Sequence, residues 1–393
     1  MPDTTVRTID ATDDTPADWD ALAVHSPRGE ALQSHAWGET KHLTGWAPRR
    51  FRIEDGDGPL AVVSIQEQWL AQGVARRLPG PLARPIGTVA RAAGRFVYAP
   101  AGPILLRDGP DAARRALAAV ARIGRARNAA LVVVDPNWEV GSVEAGAFAD
   151  AGFAPAVRQV QISRTGMLLP LDADDAAQHR RINDRVARGI NKARKAGVEV
   201  RRVDRDSPAE DQRSALETMY RMLAVTAERR HFAIRGADYV LPSLGALVRT
   251  GCASVWLARH EGADVASTLV HHSGARAVLF LAGAVEDDDG RNRLPANFLL
   301  QWTIIRWAAV QGFRDYDLGG VDSPDAPGLP RDASHSLWGL YQFKLQWGAR
   351  PVEYVGAHEH APRRALGALV RTGWRGAEAA RRLRRRSRGG RNG

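Results

Sequence analysis

The sequence predicts an α+β protein built from two similar domains in tandem. Three observations lead there. The chain has 393 residues, and about 100–200 residues per domain makes two domains the natural count. Each half reads as an antiparallel meander, then a long helix, then a short apolar strand, and the two helices start at Asp111 and Leu294, 183 residues apart. The composition, 44% hydrophobic and 25% charged, is that of a globular protein and excludes a collagen, a disordered acidic chain and a disulfide scaffold.

In the first half, Arg50–Glu54 and Leu60–Gln68 flank the turn Asp55–Gly58, and Arg95–Tyr98 follows as a third strand. A helix from Asp111 to Arg127 carries Ala113, Ala116, Val120 and Ile123 on one face. Leu131–Val134 is a short, fully apolar strand. The second domain begins at Thr165–Leu171. Asp172 is expected to cap a single helix running to about Ala196, with Gly197 as its stop. Ser207-Pro208-Ala209-Glu210 is a capping box with proline at the first helical position, so another helix starts there. Ala253–His260, Val265–His271 and Ala277–Val285 read as three strands joined by Glu261-Gly262-Ala263 and Ser273-Gly274-Ala275. Leu294, Phe298, Trp302, Ile305 and Ala309 then recur at helical spacing, Gly312 ends that helix, and Arg314–Gly320 is a strand. The expected division is residues 1–165, residues 166–345 and a basic tail over 363–393.

The net charge is +11, but residues 363–393 hold eleven Arg and one acid, Glu378, so the rest of the chain is nearly neutral. Such a tail attracts anionic lipid or RNA, or simply solubilises a frayed terminus. The single cysteine, Cys252, excludes an intrachain disulfide and any zinc site that needs two thiolates. The acidic N-terminus has no apolar core of a secretory signal, and no apolar stretch is long enough to span a bilayer. A cytoplasmic location is expected.

Only four of the 55 basic residues are lysine: Lys41, Lys192, Lys195 and Lys344. In an arginine-rich chain, a retained lysine is either a chance survivor or a place where a compact ammonium is needed and a planar fork is not equivalent. Lys344 lies among Tyr341, Phe343 and Trp347, where a partly desolvated ammonium can face a developing negative charge. Lys41 follows Trp37 by one helical turn. Arg181, Arg185, Arg188, Lys192 and Lys195 fall on one helical face, which is either a solvated face or a stripe that a diphosphate or an RNA backbone would relieve. The pair His358 and His360 has weak metal-ligand spacing, and no metal is expected. No Walker A, G-x-G-x-x-G after a strand, or G-x-S-x-G is present.

Taken in order, several short motifs resemble the Fem aminoacyltransferase family, which builds peptidoglycan cross-bridges from aminoacyl-tRNA. They are Leu32-Gln33-Ser34-His35-Ala36-Trp37 with Lys41, Pro100-Ala101-Gly102-Pro103, and Arg188-Gly189-Ile190-Asn191-Lys192-Ala193. Gly283-Ala284, Asn297 to Trp302, Tyr316-Asp317-Leu318-Gly319-Gly320, and Phe343-Lys344 with Trp347-Gly348 complete the set. The resemblance implies two tandem acetyltransferase-like (GNAT) domains, the first completed by a returning segment near residues 346–362. It implies that Lys41 and Arg188 bind the diphosphate of a UDP-MurNAc-peptide or lipid II, within a substrate-binding set that includes Trp37, Tyr98, Arg185, Lys192 and Phe280. Phe343 and Lys344 would stand at the transfer site. The co-substrate would be aminoacyl-tRNA, with no other cofactor and no metal. In place of the family's tyrosine-bearing strand this chain has Leu279-Phe280-Leu281-Ala282. In acyl-CoA acetyltransferases a Gly-rich pyrophosphate cradle occupies the place of Glu286-Asp287-Asp288-Asp289, and four acids there argue against CoA in the second domain.

The expected reaction is aminolysis of the aminoacyl ester by a stem-peptide amine, with Lys344 stabilising the oxyanion. Two rivals stand beside it. One is an N-acyltransferase on the same fold that modifies a small molecule or a protein terminus from aminoacyl-tRNA or acyl-CoA. The other is a non-enzymatic adaptor that binds RNA or anionic membrane through the tail.

Overall fold

The computed structural model describes residues 6–70, 94–161, 163–229, 232–285, 294–324 and 326–389, so the acidic run 286–289 lies outside the described residues. In chain order the elements begin with β1 (Arg7–Asp10), α1 (Pro16–Ala23), α2 (His35–Thr40), β2 (Ala47–Asp55), β3 (Gly58–Trp69), β4 (Arg95–Pro100) and β5 (Ile104–Leu105). They continue with α3 (Pro110–Ala126), β6 (Ala129–Asp135), α4 (Ala147–Asp150), β7 (Ala154–Pro155) and β8 (Thr165–Pro170). Next come α5 (Asp175–Arg181), α6 (Asp184–Lys195), β9 (Glu199–Val203), α7 (Ala209–Arg229), α8 (Ala237–Arg249), β10 (Ala253–His260), β11 (Ala263–Ser273) and β12 (Arg276–Ala284). The last are α9 (Ala296–Val310), β13 (Asp315–Gly320), α10 (Trp338–Leu345), β14 (Arg350–Glu353), β15 (His358–His360) and α11 (Arg364–Gly389).

The chain divides into two compact units. One comprises residues 1–13, 45–161 and 355–393; the other comprises 14–44 and 162–354. Residues 14–44 therefore go with the second unit, although sequence order groups them with the first half. The turn after α1 bonds to the second sheet, for example through the Ala31 N–H to Ser273 Oγ at 3.0 Å.

In the first unit the sheet order is β1-β2-β3-β4-β6-β15-β7, with β5 beside β3. The expected hairpin closes at Asp55 opposite Gly58, and β4 pairs with β6 in parallel. β6 shows why this domain needs two covers. Successive strand residues point to opposite faces. Val132 and Val134 meet Ala113, Ala116 and Val120 of α3, whereas Leu131 and Val133 meet Ala357, Tyr98, Val370 and Trp374. All four β6 side chains are fully buried, and each is worth roughly 1.5–3 kcal/mol of apolar transfer.

That second cover corrects the expectation of a frayed basic tail. The terminus is a helix, α11, whose first three turns are part of the first unit's core. Val370 and Trp374 are one turn apart, so both can reach the exposed face of β6. Arg371 Nε sits 2.5 Å from Oε1 of the buried Glu359 on β15. Gly367 permits the close approach, because a Cβ there would lie 2.6 Å from Ala361 Cβ and 3.0 Å from the Ala130 carbonyl oxygen.

The second unit holds a seven-stranded sheet in the order β14-β8-β13-β12-β11-β10-β9. The three predicted strands form the β10–β11–β12 meander. After α9 the chain returns as β13, parallel to β12. α6 and α9 cover one face through Val186, Ile190, Leu300, Ile304 and Ile305. A buried chain pins α9 to the sheet: Tyr316 donates to Gln301 Oε1 at 2.8 Å, and Gln301 Nε2 donates to Thr268 Oγ1 at 2.9 Å.

The single helix expected from Asp172 to Ala196 is two helices. Ile182 takes an extended ψ of 148°, which ends α5, and Asn183 caps α6 by accepting the Val186 N–H at 3.0 Å. The cap of α5 is Asp174, not Asp172. The polar side chain of Asn183 offers the backbone a bond that competes with helix continuation. Among the described residues, no helix is long and apolar enough to cross a membrane.

Candidate active site

The second sheet opens where β12 and β13 part. These parallel strands pair at Arg276–Asp315, Ala277–Tyr316 and Val278–Asp317, and the pairing goes no further. Beyond that point Phe280 is a bulged residue, because Leu269 faces Leu281 while Val270 faces Leu279. A bulge re-aims the side chain it carries. The two strand ends, Phe280 on one side and Gly319-Gly320 on the other, lie at the C-terminal end of the parallel pair, a common place for ligands in such sheets.

On the β12 side stands Lys41. Ser34 caps α2 by accepting the Trp37 N–H at 3.1 Å, and the six-residue helix delivers Lys41 at its C-terminus, one turn beyond Trp37. The ammonium sits 3.3 Å from the centroid of the Trp37 ring and donates to the Tyr239 hydroxyl at 2.6 Å. Arg235 lies 4.8 Å from the centroid of the same Tyr239 ring. Trp37 meets Phe280 edge-on at 6.2 Å, and Phe280 stacks on His271 at 4.0 Å. Burial pushes the Lys41 pKa down to about 7, and the neighbouring positive charge of Arg235 adds to the shift. Two cations held against aromatic faces repel one another, and an anion between them would relieve both.

On the β13 side stands Lys344. It projects from α10, is only 5% exposed, and donates to the Gly320 carbonyl at 2.8 Å. Gly319 takes the φ of +79° that favours glycine and stands beside the ammonium. Burial pushes the Lys344 pKa down to about 8, against the opposing pull of Asp317. Burial also raises Asp317, although Arg276, the Gly319 N–H and Lys344 hold it down. Arg276 donates to Tyr354 Oη at 3.0 Å and to Glu30 Oε1 at 2.7 Å. Lys344 is thus the last member of a buried charged row along β13. Phe343 packs on Phe298 at 5.8 Å and on Trp347 at 6.3 Å. Phe298 in turn fills the space above Gly189, where a Cβ would come within 2.5 Å of its ring.

Of the residues singled out from the sequence, Trp37, Lys41 and Phe280 come together, and Phe343 and Lys344 share α10. Arg185, Arg188 and Lys192 lie exposed on α6. Tyr98 belongs to the first unit, where its hydroxyl donates to Asp135 Oδ2 at 3.3 Å and its ring packs under α11. His358 and His360 bond through Nδ1 to the carbonyls of Gly356 and Gly152. Among the described residues, no group of three or more His, Cys, Asp or Glu could hold a metal ion. Sequence reasoning missed Arg235, Tyr239 and Asp317 as neighbours of the two lysines. Arg235 and Tyr239 flank the start of α8, one turn apart, and carry no signal in the sequence that would pair them with Lys41.

Comparison with known proteins bears on the fold. A family model described as an acetyltransferase (GNAT) domain matches residues 178–327. Lipid II:glycine glycyltransferases of Staphylococcus aureus strains MRSA252 and USA300 are 23% identical over 89% of this chain and 92% of theirs. The resemblance to the Fem family runs through nearly the whole chain. The crystal structure of FemX, 20% identical, superimposes with a TM-score of 0.72 over 93% of this chain and 100% of its own. The fold is therefore the expected pair of tandem GNAT-like domains. A conserved protein of unknown function from Bacteroides thetaiotaomicron, 9% identical, has a TM-score of 0.52 over 91% of this chain and 98% of its own.

Proposed function

We propose that this chain is an aminoacyltransferase that moves an amino acid from an aminoacyl-tRNA to the stem-peptide amine of a peptidoglycan precursor. The observation that carries the reading is the likeness to lipid II:glycine glycyltransferases over 89% of this chain and 92% of theirs.

The two lysines and their neighbours supply what the reaction needs. Lys41 and Arg235 are poised to hold a diphosphate, and Tyr239 and Trp37 fix where the ammonium stands. The acceptor amine attacks the ester carbonyl, the carbonyl oxygen becomes an oxyanion, and the bond to the tRNA ribose oxygen breaks as that oxygen takes up the proton the amine gives up. Lys344 spends one of its three N–H bonds on Gly320, and its charge serves the oxyanion. An ester is already activated, so positioning the two reactants does much of the rest. The exposed Arg185, Arg188 and Lys192 of α6 form a basic face that suits the tRNA backbone or the diphosphate.

One observation favours a second reading. The matching GNAT-domain model describes acetyltransferases, so acyl-CoA is the alternative donor. The test offers the purified chain charged tRNA or acetyl-CoA, with UDP-MurNAc-pentapeptide or lipid II as acceptor, and follows the acceptor by mass. A gain of one or more amino acids only with charged tRNA supports the aminoacyltransferase. A gain of acetyl, or none with any charged tRNA, overturns it.

A further inference from the structure

Lys344 ends a row of buried and half-buried charges whose signs alternate. The row runs from Glu30, between α1 and α2, through Arg276 on β12 and Asp317 on β13 to Lys344 on α10. Arg276 donates to Glu30 Oε1 at 2.7 Å and to Tyr354 Oη at 3.0 Å. Asp315, the other carboxylate near Asp317 on this strand, is held by Arg314 Nε at 2.7 Å. Tyr316 and Leu318 pack into the core under α6 and α9, so Asp315 and Asp317 lie on the opposite face of β13. Two carboxylates, Glu30 and Asp317, then balance two cations, Arg276 and Lys344, only while Lys344 is an ammonium. Without that proton the row holds one uncompensated negative charge, which a buried site disfavours. The backbone joins the last two members. Between the pairs Asp317–Leu168 and Gly320–Gly166, β13 sets Leu318 and Gly319 against the single residue Met167, a bulge with Gly319 at φ of +79°. Asp317 Oδ1 accepts the Gly319 N–H at 2.7 Å, and the next carbonyl, that of Gly320, accepts from Lys344 at 2.8 Å.

We propose that Asp317 is a positioning residue for Lys344: its carboxylate fixes the Gly319–Gly320 bulge whose carbonyl aims the ammonium, and its negative charge keeps that ammonium protonated during transfer. Asp317 touches neither reactant in this account and acts through Lys344 alone. A bulge re-aims what it carries, and a hydrogen bond from the Asp317 carboxylate holds this one in place. A comparison of two lysines supports the part played by charge. Burial lowers the pKa of both, and Lys344 is the more deeply buried. Lys344 nevertheless stands at about 8 and Lys41 at about 7. The Asp317 carboxylate pulls the first up, whereas the Arg235 guanidinium pushes the second further down. The inference rests on the transferase reading for what the charged lysine is used for, while the coupling of the two side chains can be measured without it.

The chain has four lysines, so the full protein grown on lysine labelled at Cε gives one side-chain resonance for each. Lys344→Met removes one resonance and thereby assigns it. Asp317→Asn keeps an oxygen to accept the Gly319 N–H and removes the charge. In that variant the Lys344 titration midpoint should move below about 8, while the exposed Lys192 and Lys195 stay where they are. Transfer from total charged tRNA to UDP-MurNAc-pentapeptide is followed alongside. The rate of the Asn variant relative to wild type should fall progressively as pH rises from 6 to 8, whereas a purely structural defect lowers it equally at every pH. In the Lys344→Met background the same substitution should change the rate less than about twofold, because Lys344 is the path through which Asp317 acts. An unmoved Lys344 midpoint in the folded Asn variant overturns the proposal, and so does an equal loss of rate in the Met background. If the Asn variant does not fold, the wild-type titration decides: a Lys344 midpoint above that of Lys41 supports the pairing, and one at or below it overturns it. Wild-type protein that transfers nothing, with a Lys344 midpoint that still moves in the Asn variant, overturns the transferase reading and keeps the pairing.

Discussion

Replacing Lys344 with methionine separates what this residue does for the reaction from what it does to the fold. Methionine keeps the unbranched apolar stem and removes the charge. Burial has moved the Lys344 pKa from 10.5 to about 8, a shift of two to three units. Below about pH 8 the side chain is charged in both folded and unfolded chains, so folding carries the full cost of burying it. That cost fades as pH rises from about 8 toward 10.5 and is gone above. At about 1.36 kcal/mol per unit it amounts to roughly 3 kcal/mol at neutral pH. The Met variant sheds this cost and loses the bond to Gly320, a bond worth about 1.5–3 kcal/mol from a charged donor. Its thermal midpoint at pH 7 should therefore hold or rise. Loss of one oxyanion donor typically lowers kcat about 10²–10³-fold, or roughly 2.7–4 kcal/mol. The assay is single-turnover transfer from charged tRNA at pH 7, with the thermal midpoint measured in the same buffer. A wild-type rate that falls above about pH 8, where the ammonium loses its proton, and a residual Met rate that does not, would complete the pattern. A folded Met variant that transfers near the wild-type rate would remove Lys344 from the mechanism. A midpoint several degrees lower would make it a structural support of β13.

Arg235→Ala should raise KM for a diphosphate-bearing acceptor about tenfold with little change in kcat, and should leave an acceptor without the diphosphate unaffected; Arg188→Ala, run beside it, measures what the exposed α6 face adds. Because the Lys41 pKa stands near 7, acceptor affinity measured by calorimetry should weaken as pH rises from 6 to about 8, the sign expected if the charged form binds the anion. Deleting residues 363–393 uncovers Leu131, Val133 and Phe96, so the thermal midpoint should fall and a dye for exposed apolar surface should bind, whereas deleting 377–393 should change neither. Gly189→Ala sets a methyl 2.5 Å from the Phe298 ring and should cost about 1–3 kcal/mol in denaturant unfolding.

Much of the architecture was legible in local pattern. The β10–β11–β12 meander, α3 and the apolar β6 follow from period-2 and period-3.6 spacing, which are properties of neighbouring residues. The errors arise where a distant or competing partner decides. Asn183 breaks the long helix because its side chain caps α6 better than it continues α5. Val370 and Trp374 look like two apolar residues in a charged tail until β6 is seen to have an uncovered face. The scarcity of lysine pointed to Lys41 and Lys344, which are half-buried and buried, and equally to Lys192 and Lys195, which are exposed. Composition cannot tell these apart, because burial is set by the fold. Arg235 and Tyr239 stand almost two hundred residues beyond Lys41, and nothing in their local sequence declares the pairing.

The order in which the first unit is completed bears on how this protein is made. Its sheet needs β15, and its β6 needs α11, yet both lie at the far end of the chain. During synthesis the N-terminal residues leave the ribosome long before the segment that closes over them. For the time taken to translate some two hundred residues, at about 5–20 residues per second, Leu131 and Val133 have no native cover. That interval is one in which a nascent chain needs a chaperone or risks association with its neighbours. A message cut short before residue 370 would then yield a product whose defect is an open core, and the cell would meet it as a substrate for degradation.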